Sequence, residues 1–173
     1  LKNRLFAGLV LLISVGSLTA ADSANVTDDD GTTGRMVADM VSSRHINHPD
    51  INDDISTRLL NRYVDVWDPQ KLYFSQADID SFRQSSRQLD DQIRAGNVKF
   101  ASTVFDRYQQ RMGERASLIE QLIDTDHDFT VEEEMILDPD DREWSKTEAE
   151  LSERWRQRIK FDLLILKLDD TDL

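Results

Sequence analysis

The sequence predicts an all-α fold: an irregular bundle of about five amphipathic helices that follows a signal peptide and a disordered spacer. Three observations support this prediction. Strong helix formers are abundant, whereas the 173 residues include only 6 glycines and 3 prolines. Apolar residues recur at intervals of three and four in several stretches, which is the spacing of one helix face. No stretch alternates apolar and polar residues over the length of a strand.

The first 21 residues have the features of a secretory signal peptide. Lys2 and Arg4 precede an apolar run from 5 to 15, and small residues follow it. The alternative is a membrane anchor, which is less well supported because about 20 apolar residues are needed to span a bilayer. We therefore expect cleavage after Ala20 or Ala21, export, and no stable membrane insertion afterwards.

The segment from 22 to 34 is predicted to be a disordered spacer. It reads DSANVTDDDGTTG, has no apolar periodicity and is rich in Asp, Thr and Gly. The helical domain is accordingly predicted to occupy residues 35–173.

The first three helices are predicted from residue 35 to about 44, from 52 to 67, and from the cap residue Ser75 to a stop at Gly96. Ser75 lies three residues before Asp78, in the pattern of a capping box, and Gly is favoured just after a helix end. The second helix has the clearest apolar face, formed by Ile55, Leu59, Leu60, Tyr63, Val64 and Trp67.

Two longer helices complete the prediction, separated by an acidic loop from 124 to 143. The fourth follows Asn97 and runs for about 26 residues, or nearly 40 Å. The fifth is predicted to begin at a capping box formed by Ser145 and Glu148 and to end near Leu168. Scattered apolar side chains are expected to anchor the acidic loop: Phe129, Val131, Met135, Ile136 and Leu137.

The balance of charges excludes several classes of function. The chain has 34 acidic and 21 basic residues and a formal charge of −13, which becomes −15 once the two basic residues of the leader are removed. Such a field repels a phosphate backbone, and no basic stripe offsets it, so nucleic acid is not expected as a partner. The absence of cysteine excludes disulfides, thiolate catalysis and cysteine-based zinc sites.

One acidic motif resembles the start of a calcium loop. Asp124, Asp126 and Asp128 have EF-hand spacing, but Phe129 stands where the loop requires Gly. Met135 stands where it requires a bidentate Glu, so we favour a solvated loop over a calcium site.

The histidines suggest a metal site only weakly. His45 and His48 are three residues apart and could share a metal on a helix. Pro49 interrupts a helix at this point and no third ligand has suitable spacing, so a surface turn is favoured. The third histidine, His127, lies in the acidic loop.

No catalytic signature is present. No serine lies in a G-x-S-x-G elbow, and the scattered glycines form no phosphate-binding loop. The aromatic residues are interpreted as core rather than as a ligand platform: Trp67, Tyr73, Phe74, Phe82, Trp144 and Trp155. We therefore name no catalytic, cofactor-binding or metal-binding residue, and we expect no cofactor.

Three blocks of sequence between about residues 50 and 168 resemble the N-terminal domain of the tail-specific (carboxy-terminal processing) serine proteases. The first block, 60–79, contains DPQKLYFSQADI from Asp68 to Ile79 and is the most specific. The second is DFTVEEE at 128–134, and the third, 148–164, contains EAEL and WRQRIKFDLL. The resemblance rests on the order and spacing of all three.

The resemblance implies a helical domain that precedes a PDZ domain, which captures unstructured C-terminal tails, and a catalytic domain with a Ser/Lys dyad. It also implies a periplasmic protease that cleaves envelope proteins. Neither the PDZ pattern nor the dyad occurs before Leu173, so no catalytic residue is carried over to this chain. Ser145 and Lys146 are adjacent, but they lie at a predicted helix cap outside the family's catalytic block.

The expected function is therefore a helical scaffold that frames the substrate path or docks an envelope adaptor protein for downstream PDZ and protease domains. The alternative is a stand-alone secreted helical module that mediates protein interactions. The sequence after Leu173 would distinguish the two.

Overall fold

The computed structural model describes residues 27–47 and 50–169, so the predicted signal peptide and residues 22–26 of the predicted spacer lie outside the described residues. The described residues form six helices: α1 Asp28–Arg44, α2 Asp53–Trp67, α3 Gln76–Arg83, α4 Leu89–Arg94, α5 Lys99–Ile123 and α6 Glu148–Asp169. The only β-type pairing within these ranges is an isolated parallel bridge between Ser75 and Ser145. The all-α prediction is confirmed. No helix in the described part is long and apolar enough to cross a membrane.

Helix α1 begins well before the predicted boundary, so the prediction of a disordered spacer is wrong for residues 28–34. Thr27 Oγ1 accepts a hydrogen bond from Asp30 N at 3.3 Å, and Asp30 Oδ2 accepts one from Thr27 N at 2.9 Å. This is a capping box, and three aspartates in the first turn favour the positive end of the helix dipole. The polar composition of this segment therefore marks a helix start.

The predicted third helix is divided into α3 and α4. The Ser75–Asp78 capping box is present, since Asp78 N donates to Ser75 Oγ at 3.3 Å and Ser75 N donates to Asp78 Oδ2 at 2.9 Å. After Arg83, successive backbone N–H groups donate to carbonyls three residues back, which makes tight turns rather than continuous helix. The glycine stop is as predicted: Gly96 has φ +76° directly after α4, a conformation that favours glycine.

Helix α6 begins with a different cap from the predicted one. The predicted Ser145–Glu148 capping box is wrong, because Thr147 Oγ1 accepts from Glu150 N at 3.1 Å while the Glu148 carboxylate binds Arg115. The side chain of Glu150 accepts from the backbone N–H of Lys146 at 2.7 Å. The sequence T-x-x-E at 147–150 fits the same rule as S-x-x-E at 145–148, so the rule alone could not choose.

The core consists of two clusters of buried side chains. The first lies among α2, α3, α4 and α5 and comprises Leu60, Val64, Phe74, Ile79, Phe82, Leu89 and Val104. The second lies against α6 and comprises Leu72, Leu151, Trp155 and Ile159. All six aromatic residues assigned to the core belong to these clusters or pack against them, which confirms that prediction. The segment between α2 and α3 supplies Leu72 to one cluster and Phe74 to the other.

Candidate functional site: a buried polar clamp

The segment 68–75, here called the clamp loop, is folded around one buried carboxylate. Asp68 is 1% exposed. Its Oδ1 accepts from Leu72 N at 2.8 Å, and its Oδ2 accepts from Tyr73 N and Phe74 N, each at 2.8 Å. Lys71, at φ 51°, takes the left-handed conformation that reverses the chain. One side chain thus replaces the backbone partners that a helix or sheet would supply.

Helix α6 holds the outer side of the clamp loop. Arg154 Nη1 donates to the carbonyl oxygen of Lys71 at 2.7 Å, and Trp155 Nε1 donates to that of Leu72 at 2.8 Å. Both donors come from adjacent residues of α6, so the loop and the helix are fixed in register. This contact joins the two core clusters.

The far end of the acidic loop holds the clamp loop from another side. Arg142 Nη1 donates to the carbonyl oxygen of Gln70 at 2.5 Å, and Lys71 Nζ donates to the carbonyl oxygen of Arg142 at 2.6 Å. Arg142 Nη2 also donates to the carbonyl oxygen of Ile136. The clamp loop and the acidic loop therefore bind each other reciprocally.

The electrostatics of the clamp follow from the burial of its charged groups. Burial raises the pKa of Asp68 above its usual value, although the three N–H donors and Arg154 act in the opposite direction. Burial likewise lowers the pKa of Arg154 and of Arg142. The hydrogen bonds of these three groups go to backbone atoms of the protein, so their chemistry here is to hold chain segments together.

A second buried carboxylate links α3 to α5. Asp78 accepts from Arg111 through both oxygens, with Nε–Oδ2 at 2.9 Å and Nη2–Oδ1 at 3.1 Å, and Arg107 Nε lies 3.5 Å away. Burial alone would raise the pKa of Asp78, but hydrogen bonds from Arg111 and Ser75 outweigh it and the pKa is lowered. The same carboxylate therefore caps α3 and pairs with α5.

A third link joins α5 to the start of α6. Arg115 donates to both carboxylate oxygens of Glu148, at 2.8 and 3.1 Å. The guanidinium is buried whereas the Glu148 side chain is largely exposed. Arg115 Nε is buried and has no hydrogen-bond partner in the described part of the chain.

Ion pairs attach the middle of the acidic loop to α6. Glu133 accepts from Arg156 Nη2 at 2.6 Å and from Lys160 Nζ at 2.9 Å, and these hydrogen bonds lower its pKa. Three of the apolar residues expected to anchor the loop are instead exposed: Val131, Ile136 and Leu137. That expectation is wrong for them, because charged side chains of α6 supply the attachment.

The possible metal ligands do not converge. Asp128 Oδ1 accepts from Thr130 N at 2.9 Å and from Thr130 Oγ1 at 2.7 Å, so it is engaged in a local turn. His45 Nδ1 accepts from Asn47 N at 3.3 Å just after α1, while His48 is outside the described residues. Within residues 27–47 and 50–169, no three His, Asp or Glu side chains form a possible metal site.

Ser145 and Lys146 lie in different surroundings. Ser145 is 1% exposed, and its backbone carbonyl accepts from Gln76 N at 2.8 Å in the bridge beside the clamp loop. The Lys146 side chain is 67% exposed and its Nζ lies 3.6 Å from Glu143. The serine is thus a structural residue of the bridge, and the lysine faces solvent.

Sequence reasoning missed the clamp itself. The sequence predicts a helix end at residue 67 and the next helix cap at Ser75, and it predicts no structure for the segment between them. The available signal was an aspartate followed by a short segment with no secondary structure of its own, since such a segment needs an acceptor for its N–H groups. Which basic side chains donate hydrogen bonds to the carbonyl groups of this segment depends on tertiary packing.

Comparison with known proteins gives a consistent result. A family model described as the tail specific protease N-terminal domain matches residues 36–173. A tail-specific protease of Haemophilus influenzae is 26% identical over 146 residues, which cover 84% of this chain and 21% of that relative. The chain therefore spans about a fifth of the length of the curated relative that it matches.

Proposed function

The chain belongs to the family of tail-specific protease N-terminal domains, and from that premise we propose that it is the helical scaffold domain of an exported tail-specific serine endopeptidase. The match over residues 36–173 carries this proposal, together with the much greater length of the relative. In this proposal, a PDZ domain captures the C-terminal tails of envelope proteins, and a separate domain with a Ser/Lys dyad cleaves them in the periplasm.

The clamp supports a scaffold role. Elements that are far apart in sequence are held together by partly buried hydrogen bonds of Asp78, Arg115 and Arg142. Asp68 folds the clamp loop that Arg142 binds. A framework of this kind resists deformation, because breaking any one link leaves a buried charge unpaired. A domain that frames a substrate path or presents an adaptor surface needs this property.

The last helix supports contact with a further domain. Phe161, Ile165 and Leu168 are exposed and lie at i, i+4 and i+7 on α6, so they form one apolar stripe. Contiguous exposed apolar surface marks interaction sites in soluble proteins. Packing of a PDZ or protease domain against this stripe would bury it.

The coding sequence after Leu173 tests the proposal first. We expect a PDZ-like stretch followed by a catalytic serine and lysine. A stop codon soon after Leu173 would instead support a stand-alone interaction module and overturn the proposal of a scaffold domain.

In the longer protein, the apolar stripe of α6 can then be tested directly. We expect Phe161→Ser with Ile165→Ser to slow cleavage of an unstructured substrate with an apolar tail, because domain contacts are lost. Leu137→Ser is the control, since Leu137 is more exposed than either residue but lies in the acidic loop. Equal rates for the double variant and the control would count against packing on this stripe.

A further inference from the structure

Helix α2 carries a second apolar stripe outside the core. Leu60 and Val64 face inward and are buried, whereas Leu59 is 41% and Val66 is 61% exposed. Ile55, one turn before Leu59, is half-buried. At 3.6 residues per turn, this second stripe lies about 100° around the helix from the core face. A surface helix that only covers a core needs a single apolar stripe, so the second one requires another explanation.

Two arginines flank this stripe. Arg58 and Arg62 are one turn apart on α2, and both are exposed. Neither guanidinium has an ion-pair or hydrogen-bond partner among the residues that the structure describes, whereas Arg111 and Arg115 of α5 are both paired with carboxylates. In a chain with 34 acidic residues, intramolecular partners would be easy to supply. This face therefore presents two guanidinium groups that are unpaired within the described ranges and one exposed carboxylate, Asp65, which is a local excess of positive charge on a strongly negative molecule.

The arginines and the apolar side chains line one open depression. Its volume is about 530 Å³, and it is lined by Ile55, Arg58, Leu59, Asn61, Arg62 and Asp65. The site is a shallow surface feature, so it cannot enclose a small molecule on most sides as ligand pockets do. It suits an apolar side chain that projects from a larger partner.

We propose that this face of α2, the basic-apolar face, binds an acidic amphipathic segment of another protein. An apolar side chain of that segment lies over Leu59, and carboxylates one turn apart meet Arg58 and Arg62. Guanidinium groups pair with carboxylates through two parallel hydrogen bonds, which adds specificity to the contact. This inference names a kind of partner for the adaptor surface proposed above. Only the statement that the partner is an adaptor protein rests on the proposed function.

The charge of the whole chain selects this occupant over extended polyanions. A nucleic acid or an anionic lipid surface would bring many negative charges near a protein of formal charge −13, and repulsion would outweigh two arginines. A short segment with two carboxylates places its charge only where the arginines lie. At 8 Å or more from the face, salt screens the remaining repulsion.

Fluorescence anisotropy of the chain with a labelled probe peptide tests the proposal. The probe is an amphipathic helical peptide with leucines on one face and flanking glutamates, and its counterpart has glutamine at every glutamate. We expect the chain to bind the glutamate peptide at about 0.15 M salt, where long-range repulsion is screened, and Arg58→Gln with Arg62→Gln to weaken this binding about 3- to 10-fold. Leu59→Ser should weaken binding of both peptides, because it removes the apolar contact.

Arg87→Gln is the matched control, because Arg87 is also exposed and without a partner in the described part, but lies between α3 and α4. We expect it to bind the probe as the wild type does, and Arg58→Lys with Arg62→Lys to keep only part of the affinity, because lysine keeps the charge but not the two parallel hydrogen bonds. Absence of binding, equal affinity for the glutamine peptide, or equal weakening by Arg87→Gln would overturn the proposal. So would tighter binding to anionic lipid vesicles than to the peptide. These outcomes do not depend on whether a protease domain follows.

Discussion

At the scale of single residues, Asp68 has the largest structural consequence relative to its size. Its two oxygens are the acceptors for three consecutive backbone N–H groups. The loop they belong to has no other secondary structure, so these donors have no alternative acceptor inside the protein. Burial of the Asp68 carboxylate is unfavourable, but it gives three backbone N–H groups an acceptor. Leu72 and Phe74 can therefore enter separate core clusters.

We expect Asp68→Ala to destabilise the protein by about 3 kcal/mol or more, because three buried donors lose their acceptor at about 1 kcal/mol or more each. Urea unfolding followed by circular dichroism measures this change. Asp65→Ala is the control, since Asp65 is exposed on α2 and its carboxylate has no hydrogen-bond partner among the described residues. Its effect should stay within about 0.5 kcal/mol. Equal effects of the two variants would show that the clamp contributes nothing to stability.

At the scale of helices, α1 is attached by a close approach of two glycines. A Cβ on Gly31 would lie 2.1 Å from the carbonyl oxygen of Gly96, a distance that no side chain can tolerate. Gly31 lies in the segment predicted to be a spacer because 22–34 lacks apolar periodicity and is rich in Asp, Thr and Gly. In the folded chain it allows α1 to contact the end of α4, a tertiary reason that no local pattern contains.

We therefore expect Gly31→Ala to displace α1 from α4 and to lower the unfolding midpoint in urea. Gly113→Ala is the matched control, because Gly113 is inside α5 and a Cβ there meets nothing within 4 Å. It should raise stability by about 0.5–1 kcal/mol through helix propensity. Hydrogen exchange of the α1 amides should accelerate only in Gly31→Ala, and unchanged exchange would contradict the proposed contact.

The Asp78–Arg111 link between α3 and α5 predicts a dependence of stability on pH. The folded-state pKa of Asp78 is lowered from 3.8, so its contribution is present above that value and is lost as pH falls through the lower pKa. We expect Asp78→Asn to cost about 1.5–3 kcal/mol at neutral pH. The difference from wild type should hold down to about pH 4 and shrink below it.

Urea unfolding between neutral pH and the acid limit measures this difference. Asp80→Asn is the control on the same helix, because the Asp80–Arg83 pair is exposed and such pairs contribute little. A gap between wild type and Asp78→Asn that stays constant through the acid range would rule out the ionised pair as its cause.

At the scale of the whole molecule, the sequence predicts correctly those features that depend on local patterns. The bounds of α2 and α5, the Ser75 cap and the Gly96 stop depend on neighbours within one or two turns, and they follow the prediction. The predicted apolar face of α2 is correct for Leu60 and Val64 but wrong for Leu59, which is 41% exposed. The interruption between α3 and α4 lies beside a long-range contact, since Ser56 Oγ exchanges hydrogen bonds with Asp90 N and Oδ1. The clamp likewise joins residues more than seventy positions apart, such as Lys71 and Arg142. Contacts of this kind have no signature in a single sequence.

The last prediction has two parts. This chain folds cooperatively, and by itself it hydrolyses no protein substrate. Cooperative melting follows because the clamp loop ties both core clusters to α6. Inactivity follows from the surroundings of the one adjacent Ser–Lys pair: Ser145 Oγ is buried without a hydrogen-bond partner in the described part, and no base activates it.

Circular dichroism melting and incubation with an unstructured substrate that has an apolar tail check both halves of this prediction. Because a buried hydroxyl without a partner is unfavourable, Ser145→Ala should leave stability unchanged or raise it by about 1 kcal/mol. Lys146→Ala should have no effect beyond its exposed pair with Glu143. Substrate cleavage by the wild-type chain that disappears in either variant would place catalysis at the bridge beside the clamp loop and overturn the scaffold assignment.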